Sequence, residues 1–144
     1  MISTKGRYAL RLMIDIAAYS NGNVVSLKDI SNRQGISIKY LEQVVSLLTK
    51  SQLLISVRGN NGGYRLVKDP KDYNVGEILI AAEGTLAPVS CLQTNVNTCP
   101  RADGCATLEF WQGFYKVVND YVGGVSLEDL AEKERNKIGN DYMI

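Results

Sequence analysis

The sequence predicts a mainly α fold interrupted by one small β hairpin, and three observations predict it. Apolar residues recur at helical spacing over most of the chain, several of these runs open on a capping Ser or Asn, and one glycine-rich turn, Gly59-Asn60-Asn61-Gly62-Gly63, separates two alternating segments. The chain has 144 residues, enough for one ordinary domain or a compact domain with an appendage. With 45% hydrophobic and 22% charged residues it sits at the globular average, which excludes disordered and disulfide-stapled classes.

From Ser3 a first helix places Ala9, Leu12, Met13, Ile16 and Ala17 on one face, and Asn21-Gly22 closes it. Val24-Val25 suits a short strand. Ser26 caps a second helix over Leu27–Arg33, with Asp29 at its third position, and Gly35 breaks it. Ser37 caps a third helix from Ile38 to about Ser51, in which Leu41, Val44, Val45 and Leu48 form the buried stripe. Lys39, Tyr40, Glu42, Gln43 and Ser46 fall outside that stripe. Leu53–Arg58 and Tyr64–Val67 then alternate as the two strands of a hairpin, and Lys68-Asp69-Pro70 marks a boundary. Beyond it come a helix over Val75–Glu83 capped by Asn74, an irregular stretch from Gly84 to Gly104, a long helix from about Ala106 to Val122, and a last helix over Leu127–Glu134 opened by Ser126.

Two capped helices joined by Gln34-Gly35-Ile36 have the length of a helix-turn-helix, and a hairpin directly after it makes a winged helix. The long helix carries two apolar stripes. Leu108, Trp111, Tyr115, Val118 and Val122 follow coiled-coil spacing, while Phe110, Phe114, Val117 and Tyr121 line a second face. A monomer of this size rarely covers both, so one stripe is expected to pack on the winged domain and the other on a symmetry mate. The expected architecture is therefore a winged helix-turn-helix domain over 1–70, a linking helix and cysteine-bearing loop over 71–104, and a dimerisation helix, short acidic helix and tail over 105–144.

Charge separates along the same lines. Residues 1–68 carry ten Lys and Arg against three Asp and Glu, whereas residues 69–144 carry six against twelve. A basic half suits a polyanion. Histidine is absent, which excludes Ser-His-Asp and Cys-His catalysis and every imidazole-dependent zinc site. There is also no phosphate loop and no nucleotide-binding glycine pattern, so an enzyme is not expected. No apolar run approaches the roughly 20 residues of a membrane span, and the N-terminus lacks a signal-peptide apolar core, so a cytoplasmic protein without membrane contact is expected.

Ser3-Thr4-Lys5-Gly6-Arg7-Tyr8-Ala9, Ile36-Ser37 followed by Tyr40-Leu41-Glu42-Gln43, Val57-Arg58-Gly59 and Gly62-Gly63-Tyr64 together resemble the family of bacterial winged-helix transcription regulators that includes IscR, NsrR and CymR. The resemblance spans essentially the whole chain. It implies a homodimer on double-stranded DNA with a roughly palindromic operator, with Lys39, Tyr40, Glu42 and Gln43 facing the major groove and Arg58 entering the minor groove beside the Gly62-Gly63-Tyr64 arm of the wing. The side-chain chemistry agrees: Gln pairs with adenine in bidentate fashion, Lys favours guanine or phosphate, and a carboxylate accepts from cytosine while repelling phosphate. Lys5, Arg7 and Lys50 suit backbone-positioning roles.

Cys91, Cys99 and Cys105 form a C-x7-C-x5-C pattern. An odd number of thiols in a cytoplasmic chain is poorly explained by structural disulfides, and zinc normally requires a fourth N or S ligand. Thiolates suit an iron–sulfur cluster, and incidental or merely redox-sensitive thiols are the plain alternative. The spacing is similar to the three-cysteine loop of IscR and NsrR members, which implies a cluster, 2Fe-2S ahead of 4Fe-4S. Its fourth ligand is open: the histidine of IscR-like members is Leu108 here, and the N-terminal acid of NsrR-like members is missing from Gly6-Arg7-Tyr8. Asp103, Glu109, a small thiol or water are the candidates. The ending Tyr142-Met143-Ile144 resembles that of CymR, which implies an alternative regulator of sulfur or cysteine metabolism whose terminal carboxylate is captured by cysteine synthase.

Overall fold

The computed structural model describes residues 1–142, with side chains through residue 137. Six helices and one hairpin follow in the order α1 Thr4–Tyr19, α2 Leu27–Gln34, α3 Ile38–Lys50, β1 Leu54–Val57, β2 Gly63–Leu66, α4 Val75–Glu83, α5 Leu108–Gly123 and α6 Leu127–Tyr142. The fold is thus mainly α with a small β wing, as the sequence predicts.

Local chemistry explains where the helices begin. Ser3, Ser26, Ser37 and Asn74 each accept a backbone N–H from the first turn that follows. At α4 the arrangement is reciprocal, Asn74 Oδ1 accepting from Glu77 N and Glu77 Oε1 from Asn74 N, and Ser126 and Asp129 repeat it at the start of α6. Gly35 ends α2 in the left-handed region at φ +66°, which turns the chain into α3.

The core is built on α1. Leu12, Met13 and Ile16 are completely buried against Ile30 of α2, Leu41, Val44 and Leu48 of α3, and Ile78 of α4. Each such aliphatic side chain contributes about 1.5–3 kcal/mol relative to exposure. The core continues past residue 70, because Tyr73, Ala82, Leu127 and Ala131 share it. Tyr73 also ties the wing to the core: its hydroxyl donates to Leu53 O at 2.8 Å and accepts from Val67 N at 2.8 Å. The hairpin pairs in antiparallel register from Leu54↔Leu66 to Val57↔Gly63. The expected strand at Val24-Val25 is reduced to a single bridge, Val25 to Tyr64.

Element ends differ from the sequence expectation by one residue in α2, β1 and β2, and by more in two helices. The long helix starts at Leu108 rather than Ala106, and the last helix continues through Tyr142 instead of stopping at Glu134. One internal Gly139 costs only about 1 kcal/mol relative to Ala, too little to end a helix without a dedicated stop signal. Within α5 no residue is buried. Its Leu108, Trp111, Tyr115, Val118 and Val122 stripe is half-buried, and Val122 lies against Gly76 of α4, while Phe110, Phe114, Val117 and Tyr121 are exposed. No helix among the described residues is long and apolar enough to cross a membrane.

Candidate nucleic-acid interface and thiol segment

The buried stripe of α3 turns its other face outward, so Lys39, Tyr40, Glu42 and Gln43 are all exposed. Ser37 Oγ accepts from Tyr40 N at 3.2 Å, holding the first turn of that face. Tyr40 does not stand alone. Its ring meets Tyr8 of α1 edge-on at 5.4 Å, and the Arg11 guanidinium lies 5.7 Å from the Tyr8 ring. Arg11 in turn donates from Nε to Gln34 Oε1 at 3.3 Å and from Nη2 to Gln34 O. Tyr8 and Arg11 were not among the expected interface residues, although their i, i+3 spacing on a helix that otherwise shows apolar periodicity is a visible signal.

The turn between α2 and α3 is braced from behind. Ser31 Oγ donates to Ile36 O at 2.6 Å, and Gln34 Nε2 donates to Asp15 Oδ2 at 2.9 Å. Asp15 is fully buried and receives Arg33 in bidentate fashion, which raises the pKa of that guanidinium. Arg33 also lies 4.6 Å over the ring of Tyr19, whose hydroxyl donates to Glu134 of α6 at 3.1 Å. Burial, then the Glu134 charge, pushes the Tyr19 phenol up to about 12.

In the wing, Arg58 is exposed just beyond β1 at the start of the turn. Gly62 and Gly63 are framework residues. A Cβ on Gly62 would stand 2.3 Å from Val57 O, and one on Gly63 would stand 2.3 Å from Val25 O. Tyr64 exchanges both backbone hydrogen bonds with Val25 at 2.9 Å, and its half-buried side chain joins Glu42, Ser46, Lys50 and Ser56 in lining the groove between α3 and the wing. Lys5, Arg7 and Lys50 are exposed.

The three thiols are free, Cys91 and Cys99 half-buried and Cys105 exposed, on the segment that leaves α4 and enters α5. Cys99 N donates to Asn97 Oδ1 at 2.9 Å, whereas Asn97 Nδ2 is buried without a hydrogen-bond partner. Cys105 Sγ lies 3.4 Å from Thr107 Oγ1, and that hydrogen bond lowers the thiol pKa. No three His, Cys, Asp or Glu side chains converge on a metal position among the described residues, so neither Asp103 nor Glu109 completes a ligand set there. The donor chemistry still fits a thiolate-bound group: three thiols share one segment, and an orphaned N–H in it suits a sulfur acceptor. Tyr142 ends α6 with its side chain outside the description, and Met143 and Ile144 lie outside the described residues.

Comparison with known proteins gives one consistent result. The Rrf2 family profile, described as an iron-dependent transcriptional regulator, matches residues 2–133. The chain is 38% identical to the HTH-type transcriptional regulator IscR of Photorhabdus laumondii over 133 residues, covering 92% of this chain and 80% of that protein. It is 38% identical to the protein rrf2 of Nitratidesulfovibrio vulgaris over 129 residues, covering 90% and 85%. Among solved structures it resembles CymR, the global cysteine regulator of B. subtilis, with a TM-score of 0.75 at 35% identity over 92% of this chain and 97% of that one. T. potens IscR is similar, with a TM-score of 0.75 at 33% identity over 95% and 90%.

Proposed function

The chain belongs to the Rrf2 family of transcriptional regulators, and from that premise we propose that it is a homodimeric, sequence-specific DNA-binding regulator whose affinity is set through the Cys91, Cys99 and Cys105 segment. The observation that carries the reading is the outward face of α3. Lys39, Tyr40, Glu42 and Gln43 are exposed there while every residue of the opposite stripe is buried, and the Arg58 wing stands on the far side of a shared groove. In a major groove Gln43 would select adenine, Lys39 guanine or phosphate, and Glu42 cytosine, with Arg58 reaching a narrow minor groove. Gly62, Gly63 and Tyr64 would act by holding the wing at its angle to α3.

The exposed Phe110, Phe114, Val117 and Tyr121 stripe supports dimerisation through α5, which would present two reading heads to a roughly palindromic operator. Cys91, Cys99 and Cys105 would hold an iron–sulfur cluster, 2Fe-2S ahead of 4Fe-4S, with the fourth ligand unassigned. Such a group, when bound, supplies sensitivity to oxidants, nitric oxide or iron supply. The residues of this chain do the rest: the three thiols order their segment, and Asn97 offers its unpartnered N–H to a sulfur acceptor.

The likeness to CymR favours a second reading with the same DNA-binding heads. In it, Tyr142, Met143 and Ile144 enter cysteine synthase and carry sulfur status to the DNA without a cofactor. One preparation separates the two. Anaerobically purified protein is used to select duplexes from a random pool and is assayed for iron, sulfide and visible absorption. The cluster reading expects stoichiometric iron and sulfide that each single Cys→Ala variant loses while keeping its fold. Colourless wild-type protein that selects the same palindrome, and whose C-terminal peptide binds cysteine synthase only with Ile144 present, would favour the second.

A further inference from the structure

At the last residue of α4, one carboxylate reaches across the fold to the start of α1. Glu83 Oε1 accepts from Ser3 N at 2.8 Å, from Ser3 Oγ at 2.7 Å and from Gly6 N at 3.0 Å. The first amides of a helix have no partner inside it, and a negative charge there is favoured by the helix dipole. Gly6 makes room for this contact. A Cβ on it would come within 2.4 Å of Glu83 Oε1 and 2.8 Å of Ile2 Cγ2, so the missing side chain is the slot that admits the carboxylate.

The two residues flanking that slot, Lys5 and Arg7, are exposed cations. Lys5 lies one helical turn before Tyr8, whose ring touches Tyr40 on the outward face of α3. The capped turn is therefore next to the reading helix and carries two cations. An uncovered carboxylate beside these two cations would offset their attraction for a polyanion, but the Glu83 oxygen is covered by three donors.

We propose that Glu83 is a positioning residue for DNA binding: by capping α1 through Gly6 and Ser3 it holds the Lys5 and Arg7 turn against the backbone phosphates flanking the major groove. The proposal rests on the DNA-binding reading above. Glu83 is also the last residue before Gly84 ends α4 and the chain departs into the cysteine segment, which places the cap at the junction of the two regions.

The test uses the full chain and a duplex selected by the wild-type protein from a random pool, with affinity measured across salt concentrations. Each lost phosphate contact lowers the steepness of the log–log salt dependence by about 1. Glu83→Ala should therefore lower it by about 2 per protomer, and Glu83→Gln, which keeps an acceptor without the charge, by less. In a Lys5→Ala/Arg7→Ala background the Glu83→Ala change should have no further effect on the slope, which a general loss of stability would not reproduce. If Glu83→Ala does not fold, Ser3→Ala removes one donor more mildly and should show a smaller reduction that likewise vanishes in that background. A wild-type slope in a folded Glu83 variant, or a full additional loss in the Lys5/Arg7 background, would overturn the proposal. A wild-type protein that selects no duplex would instead sink the DNA-binding reading together with it.

Discussion

Arg33 grips the buried carboxylate of Asp15 through two parallel hydrogen bonds, Nε to Oδ2 at 2.9 Å and Nη2 to Oδ1 at 2.7 Å. Asp15 belongs to α1 and Arg33 to α2, so the pair sets how the helix-turn-helix sits on the central helix. Asp15 has no exposure at all, whereas the Arg33 side chain is 34% exposed. Removing the cation alone leaves an unpaired buried charge. Arg33→Met should destabilise the protein by about 3 kcal/mol, and Asp15→Leu/Arg33→Met should recover most of that loss. Urea unfolding of the two variants and the wild type checks the expectation, and equal destabilisation by both variants would contradict it.

DNA recognition through α3 and the wing should separate into two kinds of loss. Gln43→Ala should relax base preference at one position per half-site at a cost of about 1–3 kcal/mol, because a bidentate contact is removed. Arg58→Ala should weaken A·T-rich flanks most, since a narrow minor groove attracts the guanidinium. Affinities across a panel of operator variants measure both, and unchanged preference in both proteins would exclude this docking.

The open face of α5 carries a prediction about assembly. Phe114 is 48% and Tyr121 73% exposed, on a helix with no buried residue among those described. Phe114→Glu/Tyr121→Glu should convert a dimer into a folded monomer, because charge would have to be desolvated at the contact while the α1–α4 core is untouched. Sedimentation velocity reads the mass and circular dichroism the fold. A variant that remains dimeric would place the interface elsewhere.

Thiol reactivity should follow Thr107. Its hydroxyl stabilises the Cys105 thiolate and lowers that pKa, so at a given pH more of Cys105 is thiolate than of an ordinary exposed cysteine. Thr107→Val removes the hydrogen bond, and the curve of alkylation rate against pH should move to higher pH. Iodoacetamide kinetics on the metal-free protein, resolved by mass spectrometry, test this. Superimposable curves would show that the Thr107 hydroxyl has no part in it, leaving the backbone hydrogen bond from Thr107 as the cause.

Much of this protein could be read from the chain alone because the signals are local. Ser26, Ser37 and Asn74 announce helices through hydrogen bonds that span three residues, the stripe of Leu41, Val44, Val45 and Leu48 states which face of α3 is inside, and Gly59 to Gly63 mark the wing. Once the stripe is assigned, the outward positions of Lys39, Tyr40, Glu42 and Gln43 follow from helix geometry.

Other features were decided only by the tertiary structure. Asp15 meeting Arg33, Tyr8 meeting Tyr40 and Glu83 capping Ser3 and Gly6 each join elements whose separation in sequence says nothing about their separation in space. Periodicity found two apolar stripes on α5 but not which one the chain covers, and that depended on where Val122 comes to rest against Gly76. The end of α6 escaped a local reading too, since Gly139 weakens a helix without stopping it. A cap or a buried stripe is settled within a few residues by backbone geometry, whereas an ion pair or a covered face exists only after the chain has closed on itself.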